Sequence, residues 1–257
     1  MGEVKEYPNG TFCWIDLGTA DLAGAKVFYG ELLGWQFEEV ADGYVLARRD
    51  GMDVAGMHAH THEEGTGWAS SINVGDVDAA TARAAELGAA VAMEPSDLPG
   101  TARISLIHDP AGAEVCLWQA AGYAGARLVN EVGTWSLNEL VTPDLAAASA
   151  FYGALVGWTS EAAPGGIERV SFELGDLLIG GAHAPTEFEQ GPPSWTVSFR
   201  VGDADRSAGL AASLGGSVLL PPIDIPVGRV AILADPAGAP FTIAEVPGGA
   251  LRGVDGS

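Results

Sequence analysis

Thr11–Trp35 reads TFCWIDLGTADLAGAKVFYGELLGW, and Thr134–Trp158 reads TWSLNELVTPDLAAASAFYGALVGW. At a constant offset of 123, 13 of these 25 positions are identical, among them Asp21/Asp144, Phe28/Phe151, Tyr29/Tyr152 and Trp35/Trp158. The echo continues as Trp68…VGDVD against Trp195…VGDAD, offset by 127, and as DPAGA at 109–113 against 235–239, offset by 126. A drift of four over a hundred residues is what loop insertions produce, so the repeated unit is a domain and not a short solenoid repeat. Two domains follow, 1–122 and 123–257, with the boundary inside the linker AAGYAGARLVNEVG at 120–133.

Each copy divides again. Thr11–Leu17 alternates and is rich in aromatic and β-branched residues, as a half-buried strand requires. Thr19 offers a helix N-cap with Asp21 in the first turn, Leu22, Ala25, Phe28, Tyr29 and Leu32 share a helical stripe, and Gly34 closes the helix. In the second copy Thr142 stands as the cap with Pro143 at the first helical position. Strand-like stretches near 35–40, 43–49 and 52–58 are separated by Asp42-Gly43 and Asp50-Gly51 turns. The pattern then restarts. Trp68–Val74 reads as a strand, Asp76 caps a helix through Leu87 that stops at Gly88, and strands follow near 90–95, 103–107 and 113–119. The fold class is α+β, with two βαβββ modules per domain.

Composition narrows the function. A net charge of −22, with Lys5 and Lys26 the only lysines, repels a phosphate backbone and excludes nucleic acid as a partner. No apolar run approaches the roughly 20 residues that span a bilayer, and MGEVKEYPNG lacks the apolar stretch of a signal peptide. A soluble, cytoplasmic protein without membrane contacts is expected. Cys13 and Cys116 are too few for a disulfide scaffold and read as free thiols. Tandem duplication supplies the module pairing within one chain, which points to a monomer.

The helix motif D-L-x-x-A-x-x-F-Y-x-x-L-x-G-W, with V-G-D-x-D before the second helix and D-P-x-G before the last strand, resembles the vicinal oxygen chelate superfamily. That superfamily includes glyoxalase I, extradiol dioxygenases, fosfomycin-resistance enzymes and bleomycin-binding proteins, and the resemblance covers nearly the whole chain. It implies that paired βαβββ modules curl a mixed sheet into a cup that holds the ligand. It also implies a divalent metal on three strands. Counted from the motifs, the ligand positions would be Trp14, Ala69 and Cys116 in the first domain, and Leu137, Thr196 and Thr242 in the second. None of these is His, Gln, Asp or Glu, so no metal and no cofactor are expected.

Several residues then stand out as ligand contacts. Trp14, Asp16, Cys116 and Trp118 share the inward phase of the first domain, with Ser71 and Asn73 opposite. An aromatic-lined cup with few polar groups suits a planar, hydrophobic molecule. Asp16 and Glu139 are equivalent, two residues past the first ligand position, and a carboxylate on an apolar face is costly unless partnered. Arg200 is expected to meet Glu139, while Asn73 can only hydrogen-bond Asp16. Asp16 thus reads either as half of a structural polar pair or as a general base with a raised pKa. His58 and His183 correspond at the cup-facing end of a strand, and Met57–His62 alternates histidines that read as a solvated loop with incidental metal affinity. Cys116 reads as a structural thiol.

The leading expectation is a metal-independent protein that binds a small aromatic or polycyclic metabolite in the first cup, for sequestration or for a tailoring step. A metal-dependent lyase, isomerase or oxygenase with unusual ligands is one alternative. A structural or interaction protein with filled cups is the other.

Overall fold

The computed structural model describes residues 3–60, 66–163, 168–189 and 191–246. Its first half runs β1 (Phe12–Thr19), α1 (Leu22–Leu33), β2 (Gln36–Ala41), β3 (Tyr44–Arg49) and β4 (Met52–Ala59), then β5 (Gly67–Asn73), α2 (Val77–Glu86), β6 (Ala90–Leu98), β7 (Ala102–His108) and β8 (Glu114–Ala120). The second half repeats this as β9 (Trp135–Val141), α3 (Leu145–Val156), β10 (Thr159–Ala162), β11 (Arg169–Leu174) and β12 (Leu177–His183). It closes with β13 (Ser194–Arg200), α4 (Ala204–Ser213), β14 (Ser217–Ile225), β15 (Gly228–Ala234) and β16 (Pro240–Glu245). No helix among the described residues is long and apolar enough to cross a membrane.

Each half makes one eight-stranded sheet, in the orders β2-β3-β4-β1-β5-β8-β7-β6 and β10-β11-β12-β9-β13-β16-β15-β14. The first strand of each module pairs in parallel with its last, as β1 with β4 and β5 with β8, and the modules join antiparallel through β1 and β5. Register then decides which side chains share the cup. Asp16 sits between Gly56 and Ala69, while Trp14 faces Ser71, which in turn faces Cys116.

The helices begin later than the sequence suggests. Asp21 caps α1, its Oδ1 accepting from Gly24 N at 2.8 Å, and Asp144 caps α3 in the same way. Thr19 and Thr142 instead accept from the backbone N–H of those two aspartates, and Pro143 precedes the cap. A carboxylate is the better acceptor beside the positive end of the helix. The ends match expectation: Gly34 and Gly157 adopt φ of 73° and 81° and return their N–H groups to Gly30 O and Gly153 O.

The paired Phe-Tyr residues on α1 and α3 are core, but the core they build lies between the two halves. Tyr29 stacks on Trp35, accepts from Trp68 Nε1 at 3.1 Å and donates to Asp235 Oδ2 of the second half at 3.3 Å. Tyr152 reciprocates: it stacks on Trp158, accepts from Trp195 Nε1 at 2.8 Å and donates to Asp109 Oδ2 of the first half at 3.1 Å. Both aspartates belong to DPAGA turns, where Oδ1 also accepts backbone N–H groups two and four residues on. These segments are therefore turns and inter-half tethers at once.

Candidate functional site

The first cup divides into a filled deep part and an open mouth. Trp14 is only 1% exposed, its indole N–H reaches Tyr44 Oη at 3.2 Å, and Tyr123 packs edge-on against it with ring centroids 5.4 Å apart. Tyr123 comes from the linker after β8. Its carbonyl accepts from Trp118 Nε1 at 3.3 Å, and its hydroxyl donates to Asp53 Oδ2 at 3.0 Å. Asp53 is in turn paired with Arg48 at 2.6 Å. The tyrosine thus covers the aromatic floor that the sequence offers as a stacking surface.

At the mouth lies a cavity of about 950 Å³, lined among others by Gly18, His58, Gly67, Ala69, Leu106 and Glu114. That volume lies in the range of small-molecule sites. Gly18 lacks a side chain where one is excluded: a Cβ there would stand 3.2 Å from His58 Nε2 and closer still to His60. Thr61–Glu64 of the histidine-rich segment fall outside the described residues.

Asp16 lies one step deeper than this lining, half-buried, with its register neighbour Ala69 in the cavity wall. Its Oδ1 accepts from Tyr44 Oη at 2.6 Å. Asn73 does not reach it; the Asn73 amide turns away and donates to Tyr7 O at 2.6 Å, holding the segment before β1. Burial pushes the Asp16 carboxyl above the usual carboxylate range, against the opposing pull of the Tyr44 hydroxyl, the His58 ring and the Trp14 indole. Cys116 is buried beside Ser71, and burial raises its thiol to about 12. At neutral pH it is protonated and inert as a nucleophile.

In the second cup the equivalent carboxylate finds a cation, but not the expected one. Arg169 Nη2 donates to Glu139 Oε1 at 2.6 Å. Arg200 instead holds backbone, donating to Asn130 O at 2.8 Å and Val246 O at 2.9 Å. It thereby does what Asn73 does at Tyr7, since Asn130 is the repeat counterpart of Tyr7. Arg200 shares the strand phase of Glu139, but the register pairs Glu139 with Thr196, four residues back along β13, so Arg200 stands at the far end of the strand, where its guanidinium meets backbone. His183 is 7% exposed, with Nδ1 3.0 Å from Ala184 O and Nε2 3.4 Å from Glu189.

Tyr44 and Arg169 are repeat equivalents, at the offset of 125 that also relates His58 to His183, and each faces that histidine in register. Extending the repeat through these strands would have found them. Tyr123 carries no such signal, because the linker has no periodicity.

The residues at the implied metal positions do not fit a divalent ion. Indole, methyl and a single thiol in one half, and Leu137, Thr196 and Thr242 in the other, supply no set of three ligands. Among the described residues no other group of three His, Cys, Asp or Glu side chains converges either.

Residues 11–117 match the Glyoxalase/Bleomycin resistance protein/Dioxygenase superfamily, and residues 137–244 match the Glyoxalase-like domain. CFP32 of Mycobacterium bovis, a provisionally named glyoxylase, is 42% identical over 258 residues, covering 95% of this chain and 97% of its own. The anthracycline biosynthesis protein DauV of Streptomyces sp. strain C5 is 32% identical over 263 residues, covering 95% and 96%. Among solved structures, the Mn(II)-bound glyoxalase of Novosphingobium aromaticivorans superposes with a TM-score of 0.66 at 16% identity, covering 95% of this chain and 83% of that one. The 2,3-dioxygenase LapB of Pseudomonas sp. KL28 gives 0.63 at 15%, covering 99% and 97%. With both halves matched and two relatives aligned end to end, this chain belongs to the glyoxalase/bleomycin resistance/dioxygenase superfamily, as a tandem of two such domains.

Proposed function

We propose that the protein binds a small aromatic or polycyclic metabolite in the mouth of its first cup, without a metal ion, to sequester it or to serve a tailoring step in metabolite biosynthesis. One observation carries this reading: beside the open cavity of about 950 Å³, in register with its wall residue Ala69, stands a half-buried carboxylate that among the described residues has no Lys or Arg partner, whereas the second cup's carboxylate is already paired. Leu106, Ala69 and the glycine floor offer flat apolar contact, His58 and Glu114 of the lining supply polar groups that orient a ligand, and Asp16 stands one step deeper behind Ala69. Relationship to a protein named for anthracycline biosynthesis supports a fused-ring ligand.

Untargeted mass spectrometry of small molecules that co-purify with the untagged chain tests the ligand class. A conjugated, ring-containing species at near-stoichiometric level is expected. Elemental analysis after dialysis against a mild chelator tests the metal: zinc, nickel, iron and manganese should all fall well below one per domain. One tightly held equivalent per domain would overturn metal independence.

A further inference from the structure

Resting on that reading of the first cup, we propose that Asp16, held by Tyr44 and faced by His58, is a cofactor-free proton-transfer site. Its substrate is a fused aromatic ketone with an acidic C–H beside the carbonyl, and its reaction is tautomerisation or epimerisation at that carbon.

The pair is built into the sheet. Asp16 and Tyr44 stand on strands flanking β4 and meet across Gly56, and a Cβ on that glycine would collide with both Asp16 Oδ1 and Tyr44 Oη. Only glycine permits the bond. Tyr44 spends its one proton on Asp16 and itself accepts from Trp14 Nε1, so the phenol acts as a positioning residue. It fixes Oδ1 and, among the described residues, leaves Oδ2 without a phenol or guanidinium partner. The repeat dispenses with this device, since at Gly181 a Cβ would lie 3.6 Å from Glu139 Oε1 and the carboxylate is neutralised by Arg169. His58 is half-buried beside Gly18, and among the described residues no hydrogen bond ties its ring, so its N–H can point into the mouth.

The step needs no co-reactant. Asp16 takes the proton from the carbon next to the carbonyl. The C–H electron pair becomes a carbon–carbon double bond and the carbonyl pair moves onto oxygen, where the His58 N–H donates to the enolate. The carboxylic acid then returns the proton to the same carbon, on either face, or to a conjugated position. Nothing is oxidised or reduced. The raised pKa of Asp16 brings the base closer to the operating pH. Among the described residues, the titratable groups around it are Tyr44 of β3, His58 of β4, Cys116 of β8, Tyr123 of the linker and Cys13 of its own strand, with His60 and Glu114 farther out in the cavity wall; β5 presents none.

The test uses the full chain with 2-tetralone and anthrone in D2O, following loss of the acidic C–H signal by proton NMR and binding by calorimetry. Wild type should exchange the proton faster than heat-denatured protein does. Asp16→Asn should bind within about threefold yet exchange about 10²–10⁴-fold more slowly. Tyr44→Phe should still bind, but loss of the hydrogen bond that favours the charged carboxylate raises its pKa, so the acid limb of the rate profile moves to higher pH. His58→Gln should slow exchange with binding retained. Binding of either ketone without exchange above background, or full exchange by Asp16→Asn, overturns the proton-transfer site and leaves the binding reading standing. An unmoved profile in Tyr44→Phe overturns the positioning role. Failure of both ketones to bind overturns the cup reading and this proposal together.

Discussion

Asp16 and Glu139 are the same position written twice, and what separates them is one residue two strands away, across β4 or β12: Tyr44 in one half and Arg169 in the other. A phenol can hydrogen-bond a carboxylate but cannot cancel its charge, so burial raises the Asp16 pKa. A folded pKa above the unfolded value means that the stability linked to this group is complete below the unfolded Asp pKa of about 3.9 and is lost as pH rises through the folded pKa. Asp16→Asn keeps the acceptor for Tyr44 and removes the charge, so it should stabilise the protein at pH 7–8 by roughly 1 kcal/mol, with the gain vanishing near pH 4. Glu139→Gln should do the reverse and cost about 1 kcal/mol at neutral pH, because it leaves the Arg169 guanidinium half-buried without its anion. Urea unfolding at pH 4 and pH 7.5 measures both, and equal signs for the two variants at pH 7.5 would refute this account of the asymmetry.

The linker that joins the halves also furnishes the first cup. Glu3 bridges to Leu128 in antiparallel fashion, Val4 N–H donates to Arg127 O at 2.9 Å, and Tyr7 Oη donates to Ala126 O at 2.7 Å, so the N-terminal segment straps the linker down. Gly125, with φ of 128°, passes so close to the carbonyl of Cys13 that a Cβ there would collide with it. Gly125→Ala should therefore cost about 2 kcal/mol or more through backbone strain and the clash together, read as a fall in the urea midpoint. Trp14→Ala should act chiefly on stability, about 3–5 kcal/mol, since the indole lies buried beneath Tyr123. Helices and strands were legible in the sequence because their periodicity repeats the physics of burial. The plug was not, because Tyr123 reaches the cup through a non-periodic segment whose path is set by tertiary contact. Likewise, phase put Arg200 on the face of Glu139, but the register of β13 on β9 set them four residues apart, and the guanidinium holds two backbone carbonyls instead.

Duplication explains more of the whole molecule than either half does alone. The sequence shows two copies of the Phe-Tyr helix motif and the Trp that follows it; only the structure shows that each copy is completed by the other. Trp35 Nε1 donates to Gly133 O at 2.7 Å and Trp158 Nε1 to Gly10 O at 2.6 Å, so each indole is tied to the segment that leads into the other half. Phe28 packs on Phe241, and Phe12 packs on Trp158 and Trp195. Cutting the chain inside the linker would expose these rings, each forfeiting about 1.5–3 kcal/mol of burial, and leave Asp109 and Asp235 without the tyrosines that donate to them. Those losses together match the entire stability of an ordinary domain. The intact protein should accordingly unfold in one cooperative transition, with tryptophan fluorescence and far-ultraviolet circular dichroism coincident. Residues 1–130 expressed alone should aggregate or stay molten, and co-expression with 131–257 should recover a soluble complex of the two pieces. Two resolved transitions, or a monodisperse and natively protected half, would show that the inter-half core is dispensable and that each domain closes its own.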